Sequence, residues 1–286
     1  MKEIVFVLLF LFIPLINFGW TENPNASIRS KAMGGAGVCL TDAYSLSTNQ
    51  AGLGFFNTSF VATSFDTRFI SSGISNKAFL AGIPINNLGM VGLQFNSYGT
   101  KNYSENKVGI AYSKAFGERV SCGLQLNYLN TVIGDIYGKS GTVSAEAGVL
   151  VKVTNQLSLG VHLFNPTRAK IASNTLEYAP TVLRLGFLYE FNKKVFITGD
   201  VYKSNQSMKP GGGLGIEYII YNGLYLRTGV SSNPIQNTFG VGYVVGNLKA
   251  DIYAGFNYRL GYSSGVSLSY SFKKSSVKEI TIPKAE

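Results

Sequence analysis

The chain has a single histidine, His162, with Gly160 and Phe164 two positions to either side. A lone histidine is more often structural than catalytic, and no Ser–His–acid or Cys–His arrangement accompanies this one. A larger set of ionisable residues lies between positions 146 and 251: Glu146, Lys152, Arg184, Glu190, Asp200, Glu217, Arg227, Lys249 and Asp251. Carboxylate pairs can hydrolyse glycosidic bonds when geometry brings them together, but the spacing here gives no support for such a pair. The set mixes both signs, which fits two roles. One is a network of ion pairs tying neighbouring elements together; the other is a charged permeation path. No catalytic residue, cofactor or metal site is assigned. Cys39 and Cys122 lack metal-ligand spacing. They are expected as two free thiols, because Cys122 falls on an apolar strand face and Cys39 precedes the strands.

The elements that must position these residues are strands. From about Thr58 to Lys273 the chain reads as about fourteen strand-length segments. Val120, Cys122, Leu124, Leu126 and Tyr128 alternate with Ser121, Gly123, Gln125 and Asn127. Val143, Ala145, Ala147, Val149 and Val151 oppose Ser144, Glu146, Gly148 and Lys152. Successive side chains of a strand point to opposite faces. One face is therefore apolar throughout, and the other carries glycine, serine, amides and scattered charges. A register slip of one residue would place Lys152 in the apolar layer. For a lysine at a bilayer midplane that costs about 2–4 kcal/mol.

Tight connections are expected at 85–87, 116–118, 154–155, 192–193, 221–223 and 246–247, where hairpin-turn residues occur. Longer ones are expected near 66–76, 97–106, 132–140, 165–179, 203–211, 231–237 and 259–263. Alternating short and long connections, with an even strand number, are the signature of a transmembrane antiparallel β-barrel. The tight turns then face the periplasm, with both chain ends. A soluble β-sandwich would also alternate, but its polar face would be richer in Lys and Glu.

Composition agrees. Charged residues are 14% of the 286-residue chain, against 33 Gly, 17 Tyr and 19 Phe. The net charge of +10 comes from Lys and Arg scattered through turns and loops, with no basic cluster interleaved with aromatics. That pattern suits membrane-edge and lipid-headgroup contacts and excludes nucleic acid as the expected partner. Met1-Lys2-Glu3 followed by the apolar run Ile4–Ile16 reads as a secretory signal over 1–19, the run being too short to cross a bilayer.

Residues 20–57 do not read as strand. Ser27-Ile28-Arg29-Ser30-Lys31-Ala32-Met33-Gly34-Gly35-Ala36-Gly37-Val38 and Asn49-Gln50-Ala51-Gly52-Leu53 stand out there. The glycine run lacks the Lys-Ser/Thr ending of a phosphate loop. Asp42 is placed as the cap of a short helical turn. The two segments resemble the start of FadL-like outer-membrane proteins, nearest the PorV/PorQ-type branch of Bacteroidota. Gln50 stands where that family has proline. The resemblance implies an all-β transmembrane barrel of about fourteen strands over 58–273 with an N-terminal hatch in its lumen. It also implies an outer-membrane location; residues 274–286, beyond the last strand, are expected to extend into the periplasm. Asn49, Gln50, Ala51, Gly52 and Leu53 would form either the docking box of the hatch or its gate. The implied function is passage or binding of a small hydrophobic ligand, without enzymatic activity. The alternative is an accessory or cargo-holding barrel contacting proteins of the type IX secretion system. A lateral gap in the wall would favour transport, and a sealed wall the scaffold role.

Overall fold

The computed structural model describes residues 25–86, 88–134, 139–171, 178–221 and 223–272. The expected signal (1–19) and tail (274–286) lie outside these residues. The first half of the wall consists of β1 (Phe60–Arg68), β2 (Ile74–Ile85), β3 (Gly89–Gly99), β4 (Tyr103–Phe116), β5 (Val120–Ile133), β6 (Lys139–Lys152) and β7 (Leu157–Phe164). The second half consists of β8 (Val182–Asn192), β9 (Val195–Ser204), β10 (Gly211–Tyr221), β11 (Leu224–Ser232), β12 (Gln236–Val245), β13 (Leu248–Asn257) and β14 (Gly261–Ser271).

Each strand pairs antiparallel with the next, and β14 returns to β1 in the register Phe60↔Ser271 through Thr67↔Ser264. Closure leaves no edge strand, as a sheet in hydrocarbon requires, although Lys139–Ala145 of β6 extend beyond the ladder with β7. The side-chain alternation follows the expected register. Leu124, Leu126 and Val143 point outward and are about 60% exposed (62%, 59% and 63%), whereas Gln125, Asn127, Ser144 and Glu146 between them are buried inside. The outward face is thus an apolar belt, with Phe and Tyr such as Phe116, Tyr221, Tyr258 and Phe272 at strand ends.

The tight connections lie at 86–88, 117–119, 153–156, 193–194, 222–223 and 246–247, close to expectation. The opposite set differs. Strands run further than their apolar residues suggest, so these connections shrink to 69–73, 100–102, 134–138, 205–210, 233–235 and 258–260. The cause is that backbone pairing continues under polar side chains, as in Ser97↔Asn106 and Glu105↔Thr131. The contrast in loop length is therefore weaker than expected, and only 165–181 keeps its length.

Residues 25–57 lie inside the barrel as three short helices: α1 (Ile28–Ala32), α2 (Ser45–Thr48) and α3 (Ala51–Phe56). Ser27 caps α1, its hydroxyl accepting from Ser30 N at 3.1 Å. Gly34 ends α1 at φ +69°, and a Cβ there would overlap the Val230 carbonyl of the wall. Asp42 caps no helix. Its Oδ1 accepts from Tyr44 N at 2.9 Å and its own N–H donates to Ser45 Oγ, forming the turn ahead of α2.

The lumen is also less polar than the alternation implies. Tyr44, Leu46 and Leu53 of the inner segment pack with Phe60, Leu80 and Met90 of the wall in an apolar core. An internal segment with its own apolar side chains needs apolar partners, which β1–β3 supply.

Candidate functional site

The inner segment meets the wall through four clusters of polar side chains. The first centres on Glu146 of β6. Its Oε1 accepts from Lys107 Nζ at 3.1 Å and from Asn127 Nδ2 at 2.9 Å, and its Oε2 lies 3.0 Å from His162 Nε2 and 2.8 Å from Gln50 Nε2. Lys107, Glu146 and His162 have no exposed side-chain surface. His162 and Glu146 line neither of the cavities described below. Their pairing therefore joins β6 and β7 to the segment rather than facing a substrate. Lys107 escaped the sequence reading, although it shares the inward parity of Gly109 and Ala111.

The second cluster is a chain of alternating charge. Arg29 of α1 donates from Nε to Glu217 Oε2 at 2.8 Å and from Nη1 to Asp42 Oδ2 at 3.0 Å. Arg227 joins Glu217 (2.6 Å) to Asp251 (2.6 Å), and Lys249 lies 3.9 Å from Asp251 and 4.0 Å from Asp42. Three cations and three carboxylates thus bridge α1 to β10, β11 and β13. Burial alone would raise the Asp42 carboxyl, but Lys249 and Arg29 outweigh it and hold the group below its usual range.

The third cluster is Asp200 of β9, whose Oδ2 accepts from Gly37 N (2.7 Å) and Val38 N (3.1 Å). The fourth is Lys31, 2.5 Å from Asp66 of β1, which also accepts from Asn76. Arg29, Lys31 and Asp66 were not singled out by sequence. Their partners lie far along the chain, and no local pattern marks them.

The box Asn49–Leu53 rests on two glycines of the wall. Asn49 Nδ2 donates to Val38 O at 2.9 Å and to Val149 O at 3.3 Å, and Ser121 Oγ donates to Ala51 O at 2.7 Å. A Cβ at Gly148 would overlap Asn49 Oδ1, and one at Gly123 would sit 2.5 Å from Ala51 N. Gly52 is similarly confined, between Leu40 O and Ser45, and Leu53 enters the apolar core. Cys39 and Cys122 are unbridged, and burial, with the charge of Asp200 adding to it, pushes the Cys39 thiol well up.

The remaining expected residues stand apart from these clusters. Lys152 lies 4.0 Å above the Phe55 ring, and among the described residues neither it nor Glu190 forms an ion pair. Both line a cavity of about 680 Å³ at the tight-turn end, with Arg29, Arg119 and Phe55. Arg184 lies 3.4 Å from Gly35 O and over the Tyr202 ring at 5.3 Å. It lines a second cavity, of about 420 Å³, at the opposite end, together with Lys31. Arg29 and Lys31, separated by Ser30 in α1, thus belong to different cavities, and the inner segment lies between them.

No family model and no curated protein matches this sequence. Solved structures do. The chain is similar to the Pseudomonas putida toluene transporter TodX (TM-score 0.67, 13% identity, 87% of this chain and 98% of that one). It is also similar to the monoaromatic hydrocarbon channel CymD (0.66, 12%, 88% and 98%). A Pseudomonas aeruginosa FadL homologue matches at 0.61 with 11% identity, over 87% of this chain and 99% of that one. At such identities the likeness is one of fold, and the fold of this chain is that of the FadL-like β-barrels.

Proposed function

We propose that this chain is an outer-membrane barrel that passes or binds a small hydrophobic molecule, with residues 25–57 as a hatch. The observation that carries this reading is the placement of that segment between two cavities of about 420 and 680 Å³. The outward apolar belt supports a membrane location, and the fold shared with a toluene transporter and a monoaromatic hydrocarbon channel supports the substrate class. In this reading residues 1–19 direct export and 274–286 extend into the periplasm. Asn49–Leu53 form the seat on which the hatch rests or releases, and the role is non-enzymatic. The test is uptake of radiolabelled toluene by cells producing the protein, compared with cells producing a disulfide-locked hatch. Faster uptake that the lock abolishes supports the reading; equal uptake in all strains overturns it.

The second reading is a scaffold: a PorV/PorQ-type accessory barrel of Bacteroidota that holds cargo or proteins of the type IX secretion system. The closed pairing order of all fourteen strands favours it, with the β6–β7 ladder confined to Glu146–Lys152 of β6. Crosslinking in the native membrane followed by mass spectrometry tests it, and recovery of no secretion component counts against it.

A further inference from the structure

The 420 Å³ cavity carries cationic groups among its apolar and aromatic lining. It lies at the end opposite the tight turns, between the inner segment and the connection that carries Asn233 and Pro234. Its ionisable lining consists of Lys31, Arg68 and Arg184 against one carboxylate, Asp66, apart from tyrosines. Asp66 is already taken, by Lys31 at 2.5 Å and by Asn76 at 3.0 Å. Among the described residues Arg68 and Arg184 form no ion pair. Arg68 reaches Tyr98 Oη at 3.5 Å, and Arg184 reaches a backbone carbonyl and the face of Tyr202. Asp200 also acts on Arg184, but it does not line the cavity, and its Oδ2 is occupied by Gly37 and Val38. Two guanidinium groups thus line one concave space without an ion pair among the described residues, Arg68 from β1 and Arg184 from the opposite wall at β8, where the nearby Asp200 carboxylate offsets part of its charge.

We infer that this cavity is a binding site for a compact organic anion, a carboxylate carried on a ring or short chain. Its volume falls in the usual range for small-molecule pockets, about 300–1,000 Å³. Guanidinium forks match carboxylate oxygens in geometry and charge. Tyr98 and Tyr253 add aromatic surface to the lining for the body of the ligand. The excess of cations over carboxylates in the lining also raises the local concentration of anions at the mouth. This site rests on the lining of the cavity alone, so it stands or falls separately from hydrocarbon passage.

The test is calorimetric titration of the full-length, detergent-solubilised barrel with benzoate and with benzyl alcohol, its neutral counterpart of similar shape. Benzoate is expected to bind at least about tenfold more tightly, as the loss of a charge-assisted hydrogen bond implies. Arg184→Met and Arg68→Met are each expected to weaken benzoate by about tenfold or more. Lys77→Met, which removes a cation from the outer surface, is expected to leave it unchanged. Heat-modifiable gel mobility confirms the barrel in each variant; Arg68, at the end of its strand, carries the test if Arg184→Met does not fold. Equal affinity for the two probes, no heat with benzoate at millimolar concentration, or equal weakening by Lys77→Met would overturn the assignment.

Discussion

Gln50 donates from Nε2 to Glu146 Oε2 at 2.8 Å, the same oxygen that faces His162, and so ties the inner segment to a carboxylate that already joins four strands, β4 to β7. Removing one partner from a buried charge cluster leaves the others uncompensated, at a cost of about 3–5 kcal/mol. Glu146→Ala is therefore expected to lower the temperature at which the detergent-solubilised barrel loses its folded gel mobility. Glu190→Ala, which removes a half-buried carboxylate without an ion pair, is expected to leave that temperature nearly unchanged. Equal effects of the two substitutions would show that the Glu146 cluster does not hold the fold.

Gly148 sets how closely Asn49 approaches the wall, since a side chain there would occupy the position of Asn49 Oδ1. Gly148→Val is expected to lift the box Asn49–Leu53 from its seat while the strand itself, favoured by a β-branched residue, persists. Planar-bilayer recordings are expected to show larger or more frequent conductance steps than the unsubstituted protein. Unchanged conductance, with the barrel intact by gel mobility, would mean that this seat does not close the lumen.

Leu126 and Asn127 are neighbours in β5 with opposite surroundings, the first 59% exposed on the belt and the second buried beside Glu146. Leu126→Arg places a cation in the apolar belt. It is expected to destabilise folding into lipid vesicles by about 2–4 kcal/mol if the site lies at the bilayer midplane, and less toward either interface. The measurement is urea titration of vesicle-folded protein by tryptophan-independent circular dichroism. No loss of stability would argue against lipid contact at this face.

Asp42 links the inner segment to acid conditions. Its folded-state value is depressed below the ordinary 3.8 by Lys249 and Arg29. A depressed carboxylate contributes stability that is complete above the unfolded value and is lost as pH falls through the folded one. Attachment of α1 is therefore expected to hold at neutral pH and to weaken only below about pH 4. Protease accessibility of residues 25–57 across an acid series checks this. Asp42→Asn is expected to remove part of the acid dependence and to lower protection at neutral pH.

Much of this protein was legible in its residue pattern. Strict alternation in segments such as Val120–Tyr128 determines which side of each strand meets hydrocarbon, because a strand has a period of two and a slip would bury charge in lipid. Hairpin residues such as Gly246-Asn247 locate the tight turns, and the same parity places Glu146, His162, Glu217 and Asp251 indoors. Strand ends were less legible, since paired backbone continues beneath polar residues such as Asn106 and Glu105. What only the tertiary structure decided is who meets whom across the lumen. Arg29 finds Glu217 over 188 positions of chain, Gly37 finds Asp200, and Asn49 settles on Gly148. Such partners depend on the closed wall and on the path of the inner segment. Alternation tells which way a side chain points, not what stands opposite.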